Sequence, residues 1–85
     1  MSEDLVNSLI PAVDQQIESA ATPHVAATFK RLTGENQLAE DDAKFLIAEC
    51  LADESNRMFI EKREFNIDRY YELLDELPHS DSQAH

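Results

Sequence analysis

The near absence of glycine most restricts what this chain can fold into. Gly34 is the only glycine among 85 residues, runs of β-branched residues are few, and Ala, Glu and Leu are abundant. Helices favour such a composition, whereas glycine is the residue that tight turns and bulges draw on. Apolar residues also recur at steps of three and four, which places them on one face of a helix. The sequence therefore predicts an all-α fold, a compact bundle of about four helices.

Proline interrupts the first helical pattern, which runs from about Glu3 to Ser19. Pro11 lies inside it, where a proline removes one backbone hydrogen bond and clashes with the preceding turn. Two outcomes are expected. Either the helix kinks near residues 7–8, or it divides into two short helices with Pro11 in the first turn of the second.

The second helix is bounded by clear signals at both ends. Thr22 is placed to accept a hydrogen bond from an early backbone N–H as N-cap, and Pro23 suits the first helical position. Gly34 is expected to close the helix in the left-handed conformation. Lys30 and Arg31 fall in the last turn, where positive charge complements the helix dipole.

Two further helices are predicted in the rest of the chain. The third begins near Glu40, with three acidic residues in its first turn. Its apolar stripe continues to Met58 and Phe59 near its end, and its period is lost around residues 61–64. The fourth follows Asn66 as N-cap and ends before Pro78, with Phe65 and Tyr70 spaced for a hydrophobic staple. Residues 1–78 are expected to form one domain and residues 79–85 a disordered polar tail. The predicted core is Val13, Ile17, Val25, Phe29, Leu32, Ile47, Leu51, Tyr70, Leu74 and Leu77.

Acidic residues dominate the surface chemistry. Eighteen Asp and Glu face seven Lys and Arg, a formal net charge of −11. Such a chain repels phosphate backbones and anionic lipid, so direct binding to nucleic acid or to a membrane surface is not expected. Four carboxylates spaced by four residues form what we call the acidic stripe: Glu64, Asp68, Glu72 and Glu76. It either serves solubility or forms a docking face for a basic protein partner.

A second candidate site combines Glu54 with residues of the second helix. Glu54 falls on the apolar stripe of the third helix, where a carboxylate must reach the edge or find a partner. Arg57 is three residues away, and His24 or Arg31 is placed to arrive from another helix. One interpretation is a rim residue or structural ion pair, and the other is a functional carboxylate with a raised pKa. His24, Thr28 and Arg31 share one side of their helix, either as a polar contact surface or as a solvated face.

Signals for catalysis, metal binding or cofactor binding are lacking. The three histidines, His24, His79 and His85, have no metal-ligand spacing, and no phosphate-binding glycine-rich loop occurs. Cys50 is flanked by acids and apolar residues, which indicates a buried, inert thiol. We therefore expect a protein that is not an enzyme and has no metal or cofactor. The acidic start of the sequence does not resemble a signal peptide and no apolar run is long enough to span a membrane, so a cytoplasmic location is expected.

The stretch from Val13 to Ile47 resembles small, uncharacterised bacterial helical domains of unknown function. The residues that carry the resemblance are Gln16-Ile17, Pro23, Val25, Arg31-Leu32, Asp42-Ala43 and Ile47. Those domains often carry histidines near the start of the third helix, where this chain has Asp41 and Phe45. The resemblance therefore implies a helical fold, without an activity or a metal site.

Three functions are considered on this basis. The first is a small protein-interaction or regulatory module whose acidic surface selects its protein partner. Its small size also makes a homodimer a reasonable hypothesis. The second is an acidic inhibitor, similar in action to an antitoxin, that occupies a basic nucleic-acid-binding site through the acidic stripe. The third is an accessory subunit or minor enzyme that uses Glu54 with Arg31 or His24.

Overall fold

Five α-helices and no β-strand occur in residues 3–78, which are the residues that a computed structural model of the chain describes. The predicted all-α bundle is therefore confirmed, and the tail predicted over residues 79–85 lies outside the described residues. The helices are α1 (Glu3–Ser8), α2 (Ile10–Glu18), α3 (Pro23–Gly34), α4 (Glu40–Glu61) and α5 (Ile67–Asp75).

Pro11 divides the first pattern into two helices. Ser8 ends α1, Leu9 stands between the helices, and Pro11 lies in the first turn of α2. Proline is tolerated there because the first backbone N–H groups of a helix have no intrahelical partner. Of the two expected outcomes, division into two short helices is the one observed.

α3 begins at Pro23, as predicted, but the capping hydrogen bond predicted for the Thr22 side chain is wrong. Thr22 occupies the N-cap position before Pro23, yet its side chain makes no capping bond to α3. Its hydroxyl instead donates to the backbone carbonyl of Gln16 at 2.8 Å. Carbonyls in the last turn of a helix lack an intrahelical donor, so Thr22 closes the end of α2 rather than the start of α3.

Gly34 does not adopt the left-handed conformation predicted for it. It is the last helical residue of α3, and the left-handed residue of this connection is Gln37, with φ of 57°. The connection closes when the Leu38 N–H donates to the Leu32 carbonyl at 3.0 Å. At the end of α4 the left-handed position is occupied by Lys62, with φ of 55°.

Two substitutions that match the residue type to the backbone conformation, one at Gly34 and one at Lys62, are expected to stabilise the protein. An added Cβ at Gly34 meets nothing within 4 Å, so Gly34→Ala fits the helix and restricts the unfolded chain. Lys62→Gly removes the steric cost of a left-handed non-glycine residue. We expect each substitution to raise the free energy of unfolding by about 0.5–1 kcal/mol, measured by urea denaturation. A decrease for Gly34→Ala would contradict its position in the helix.

The long helix α4 forms the centre of the bundle. Each of the other four helices packs against it. Tyr70 and Leu74 of α5 lie buried in the shared core, and Ile17 and Phe29 are only half-buried at its edge. The buried apolar residues are Val6, Val13, Val25, Leu32, Ala43, Ile47, Ala48, Cys50, Leu51, Ala52, Tyr70, Leu74 and Leu77.

Candidate interaction site

The last two turns of α4 extend beyond the core. Glu54 is the last buried residue of the helix, and none of residues 55–61 is buried. Phe59 is 81% exposed and Ile60 is 64% exposed, and Ile67 at the start of α5 is also exposed. We call residues 54–69 the hairpin tip: the end of α4, the connection and the first turn of α5. Three large apolar side chains therefore face solvent at this end of the molecule, of which Phe59 and Ile60 are the most exposed.

Glu54 organises the interior of the hairpin tip. Its side chain has no solvent exposure, and its carboxylate accepts four hydrogen bonds. Arg63 binds it with two N–H groups at 2.6 and 3.1 Å, and Arg69 donates at 2.8 Å. The fourth donor is the backbone N–H of Asn66 at 2.8 Å. Two bonds at each carboxylate oxygen leave this buried charge fully partnered.

Local backbone geometry brings these donors together. The left-handed Lys62 ends α4, and the chain then turns so that Arg63 reaches back to Glu54. Asn66 begins α5, and its side-chain oxygen accepts from the Arg69 N–H at 3.1 Å, which is the N-cap bond predicted from the sequence. The predicted staple is also present, since the Phe65 and Tyr70 rings pack edge to face with centroids 5.6 Å apart.

The environment of Glu54 holds its carboxyl in the charged form. Hydrogen bonding to Arg63 is the largest cause, the Asn66 N–H and Arg69 act in the same direction, and together they outweigh burial. They lower the pKa of Glu54 to about 2. The raised pKa expected of a functional carboxylate is therefore wrong. A carboxylate ionised at neutral pH, with every oxygen partnered, suits a structural role and not proton transfer.

The predicted grouping of Glu54 with His24 and Arg31 is not observed. Arg31 donates to the backbone carbonyls of Leu74 and Leu77 at 2.8 and 2.6 Å, at the C-terminal end of α5. Glu54 contacts the opposite end of the same helix. Arg57, the other predicted partner, instead lies 3.7 Å from the carboxylate of Glu61.

His24 also lies at the C-terminal end of α5. Its ring stacks on Tyr71 with centroids 4.3 Å apart and planes 8° from parallel. Its Nε2 lies 2.7 Å from a carboxylate oxygen of Asp75. His24 and Arg31 therefore fasten α3 to the end of α5, and α5 is fastened at its two ends by separate sets of contacts.

The acidic stripe is exposed throughout but is not one helix face. Asp68 and Glu72 lie on α5, Glu64 lies in the connection before it, and Glu76 follows its last residue. The spacing of four residues predicted a single row, and α5 is too short to carry it because it spans only nine residues. The four carboxylates remain accessible to a partner.

The thiol of Cys50 is buried in the core. Burial, with smaller contributions from nearby acids, raises the pKa of the Cys50 thiol to about 12, so the thiol stays protonated. Residues 3–78 contain no group of three or more side chains arranged to hold a metal ion. Nor does any helix among them combine the length and apolar character needed to cross a membrane. A half-open groove of about 350 Å³ beside the start of α4 is lined by Asn7, Ile10, Asp41, Asp42, Lys44 and Phe45.

The sequence predicted neither the partners of Glu54 nor the exposure of Phe59 and Ile60. Arg63 and Arg69 lie nine and fifteen residues from Glu54, beyond any local helical spacing. Phe59 was assigned to the apolar stripe, although adjacent bulky residues such as Phe59 and Ile60 point in directions about 100° apart on a helix. Adjacency alone does not show that a side of the helix is uncovered, because Cys50 and Leu51 are adjacent on the same helix and both are buried.

The hairpin tip thus combines exposed apolar side chains with a buried charged network that fixes its backbone. Comparison of the chain with protein-family models, with curated proteins and with solved structures finds no match.

Proposed function

We propose that this protein is an interaction module whose contact surface is the hairpin tip. The observation that carries the proposal is the exposure of Phe59, at 81%, beside Ile60, at 64%. Burying a side chain of this kind contributes roughly 1.5–3 kcal/mol, so the two together supply a substantial share of the energy of a specific contact. Aromatic residues are also enriched where interfaces concentrate their binding energy.

The fixed backbone of the tip supports the same function. Arg63 and Arg69 bind Glu54 from the connection and from α5, so both elements are held against α4. A surface that is ordered before binding loses less conformational entropy when the partner arrives. The buried network of Glu54, Arg63 and Arg69 therefore holds the hairpin tip, which contains Phe59, in one conformation before a partner binds.

A second candidate function is the acidic inhibitor that occupies a basic protein surface. The observation that favours it is the exposure of all four carboxylates of the acidic stripe. In this case electrostatic attraction to a basic nucleic-acid-binding protein would provide most of the binding energy, and salt would weaken the complex. An enzyme that uses Glu54 finds no support, because its carboxylate accepts four hydrogen bonds and its pKa is lowered.

Capture from host lysate with matched variants separates the two functions. One variant carries Phe59→Ser and Ile60→Ser, and the other carries Glu72→Lys and Glu76→Lys, the two positions of the acidic stripe that lie outside the hairpin tip. Both sets of positions are exposed, so circular dichroism is expected to show the native helix content in each. We expect the first variant to lose the proteins that the wild-type chain captures and the second to retain them.

The reverse pattern would support the inhibitor. Capture unaffected by either variant would contradict both functions. Repeating the capture in high salt provides a check that does not depend on substitutions, because an apolar contact persists where an electrostatic contact dissociates.

A further inference from the structure

The distribution of charge identifies what fits the hairpin tip. Residues 54–69 contain four acidic and four basic residues, whereas the rest of the chain contains fourteen acidic and three basic residues. The tip is therefore neutral in a protein of net charge −11. We infer that the tip binds the tip of a second copy of this chain, an inference that rests on the proposed function of the tip as a contact surface.

Repulsion between two copies is weakest at this place. Two molecules of charge −11 repel each other over most of their surfaces, but opposing tips bring no net charge together. The overhang of seven residues beyond Glu54 spans about 10 Å, which exceeds the Debye length of about 8 Å at physiological salt. When two copies meet through their hairpin tips, much of the acidic surface outside the tips is farther apart than the Debye length. Salt then screens the repulsion between these acidic surfaces.

The same neutrality argues against a basic foreign partner at the tip. A strongly basic partner protein is attracted to the residues outside the tip, where acidic side chains outnumber basic ones. It gains no net electrostatic attraction from the tip itself. Three of the four basic side chains of the tip are paired with acids: Arg57 lies 3.7 Å from Glu61, and Arg63 and Arg69 lie 2.6 and 2.8 Å from Glu54. What the tip offers to an approaching molecule is mainly Phe59 and Ile60.

A two-fold arrangement uses these residues on both copies. In such a contact the same patch faces itself, so Phe59 and Ile60 of one copy cover those of the other. Exposed Lys62 and Glu64 follow the apolar pair in the chain and provide each copy with both signs of charge. The patch is small, which places the contact among weak interfaces, below about 1,200 Å² of buried area.

Sedimentation equilibrium of the full chain tests the inference across a concentration series extending to the millimolar range. We expect the average mass to rise from 9.7 kDa toward twice that value as concentration increases. The association constant should be unchanged or higher when NaCl is raised from about 0.05 M to about 0.5 M, since salt screens only the repulsion. Combining Phe59→Ser with Ile60→Ser should lower the association constant by at least about ten-fold.

A pair of charge variants tests the role of neutrality. Lys62→Glu and Lys30→Glu change the net charge equally, and both side chains are exposed, but only Lys62 lies in the tip. We expect Lys62→Glu to weaken self-association more than Lys30→Glu at low salt, and the difference to shrink at high salt. Equal effects of the two variants would overturn the inference.

Two further results would also overturn it: a wild-type chain that stays monomeric throughout, or an association that persists without Phe59 and Ile60. Lysate capture distinguishes these failures from failure of the proposed function. If the chain is monomeric but its capture of other proteins depends on Phe59 and Ile60, only the second copy is excluded. If neither measurement depends on these residues, the tip is not a contact surface.

Discussion

Glu54→Gln is expected to lower the free energy of unfolding by about 3 kcal/mol. The substitution keeps the size of the side chain but removes the charge that Arg63 and Arg69 bind, and breaking a buried ion pair from one side costs roughly 3–5 kcal/mol. The expected loss lies at the lower end of that range because both arginine side chains retain more than a quarter of their exposure and can turn toward water. Urea denaturation at neutral pH measures the change.

The dependence on pH identifies the ionised carboxylate as the source of the effect. The pKa of Glu54 is about 2 in the folded protein and 4.5 for an ordinary glutamate, so the unfolded chain binds more protons between these values. Its contribution is complete above about pH 4.5 and is lost as the pH falls toward 2. Wild type and Glu54→Gln should therefore converge in stability as the solution is acidified.

Arg57→Gln is the matched control, because Arg57 forms an exposed pair with Glu61 at 3.7 Å and exposed pairs contribute little. Its stability should stay close to that of wild type. A difference between wild type and Glu54→Gln that remained constant down to low pH would show that packing, and not charge, holds Glu54.

Tyr70→Ala is expected to destabilise the fold even more, by about 3–5 kcal/mol, because deleting a buried aromatic ring leaves a cavity. Tyr70 is the largest of the fully buried side chains in residues 3–78. For a chain of this size, such a loss is a large part of the whole free energy of unfolding. The measurement is thermal unfolding followed by circular dichroism, with an unchanged midpoint contradicting the central position of Tyr70.

Tyr70→Phe separates the hydroxyl from the ring. The hydroxyl donates to the side-chain oxygen of Gln16 at 2.7 Å, and losing a donor to a partly buried acceptor costs about 1–2 kcal/mol. Burial also raises the pKa of Tyr70 above its ordinary value of 10, so the folded state holds this proton more tightly than the unfolded chain. The wild-type protein should lose stability as the pH rises above 10, and Tyr70→Phe should lose less.

The elements that the sequence predicted well are those encoded by neighbouring residues. Pro11 in the first turn of α2 and Asn66 as the N-cap of α5 depend on rules that act within one helical turn. The position of Glu54 on a buried face also followed from helical period alone. Its partners did not, because the path of the chain after Lys62 decides that Arg63 returns to Glu54.

Two errors have the same physical origin in the tertiary structure. Gly34 was expected to be left-handed because glycine favours that conformation, but the connection between α3 and α4 places the turn three residues later, at Gln37. Phe59 was placed on the apolar stripe near the end of α4, yet its side chain is 81% exposed. A helix of 22 residues is about 33 Å long, and its buried residues end at Glu54. Periodicity shows which face of a helix is apolar and not where the neighbouring helices stop.

The contacts of Arg31 give the two ends of α5 different local stabilities. Glu54 and its donors are close in sequence, whereas Arg31 reaches the carbonyls of Leu74 and Leu77 across 43 and 46 residues. Local opening of the bundle that separates α3 from α5 therefore exposes the last carbonyls of α5 while its first turn remains capped by Asn66. Among the amides of α5 that are bonded within the helix, exchange should therefore be slower at Tyr70, whose N–H donates to the Asn66 carbonyl at 3.1 Å, than in the last turn.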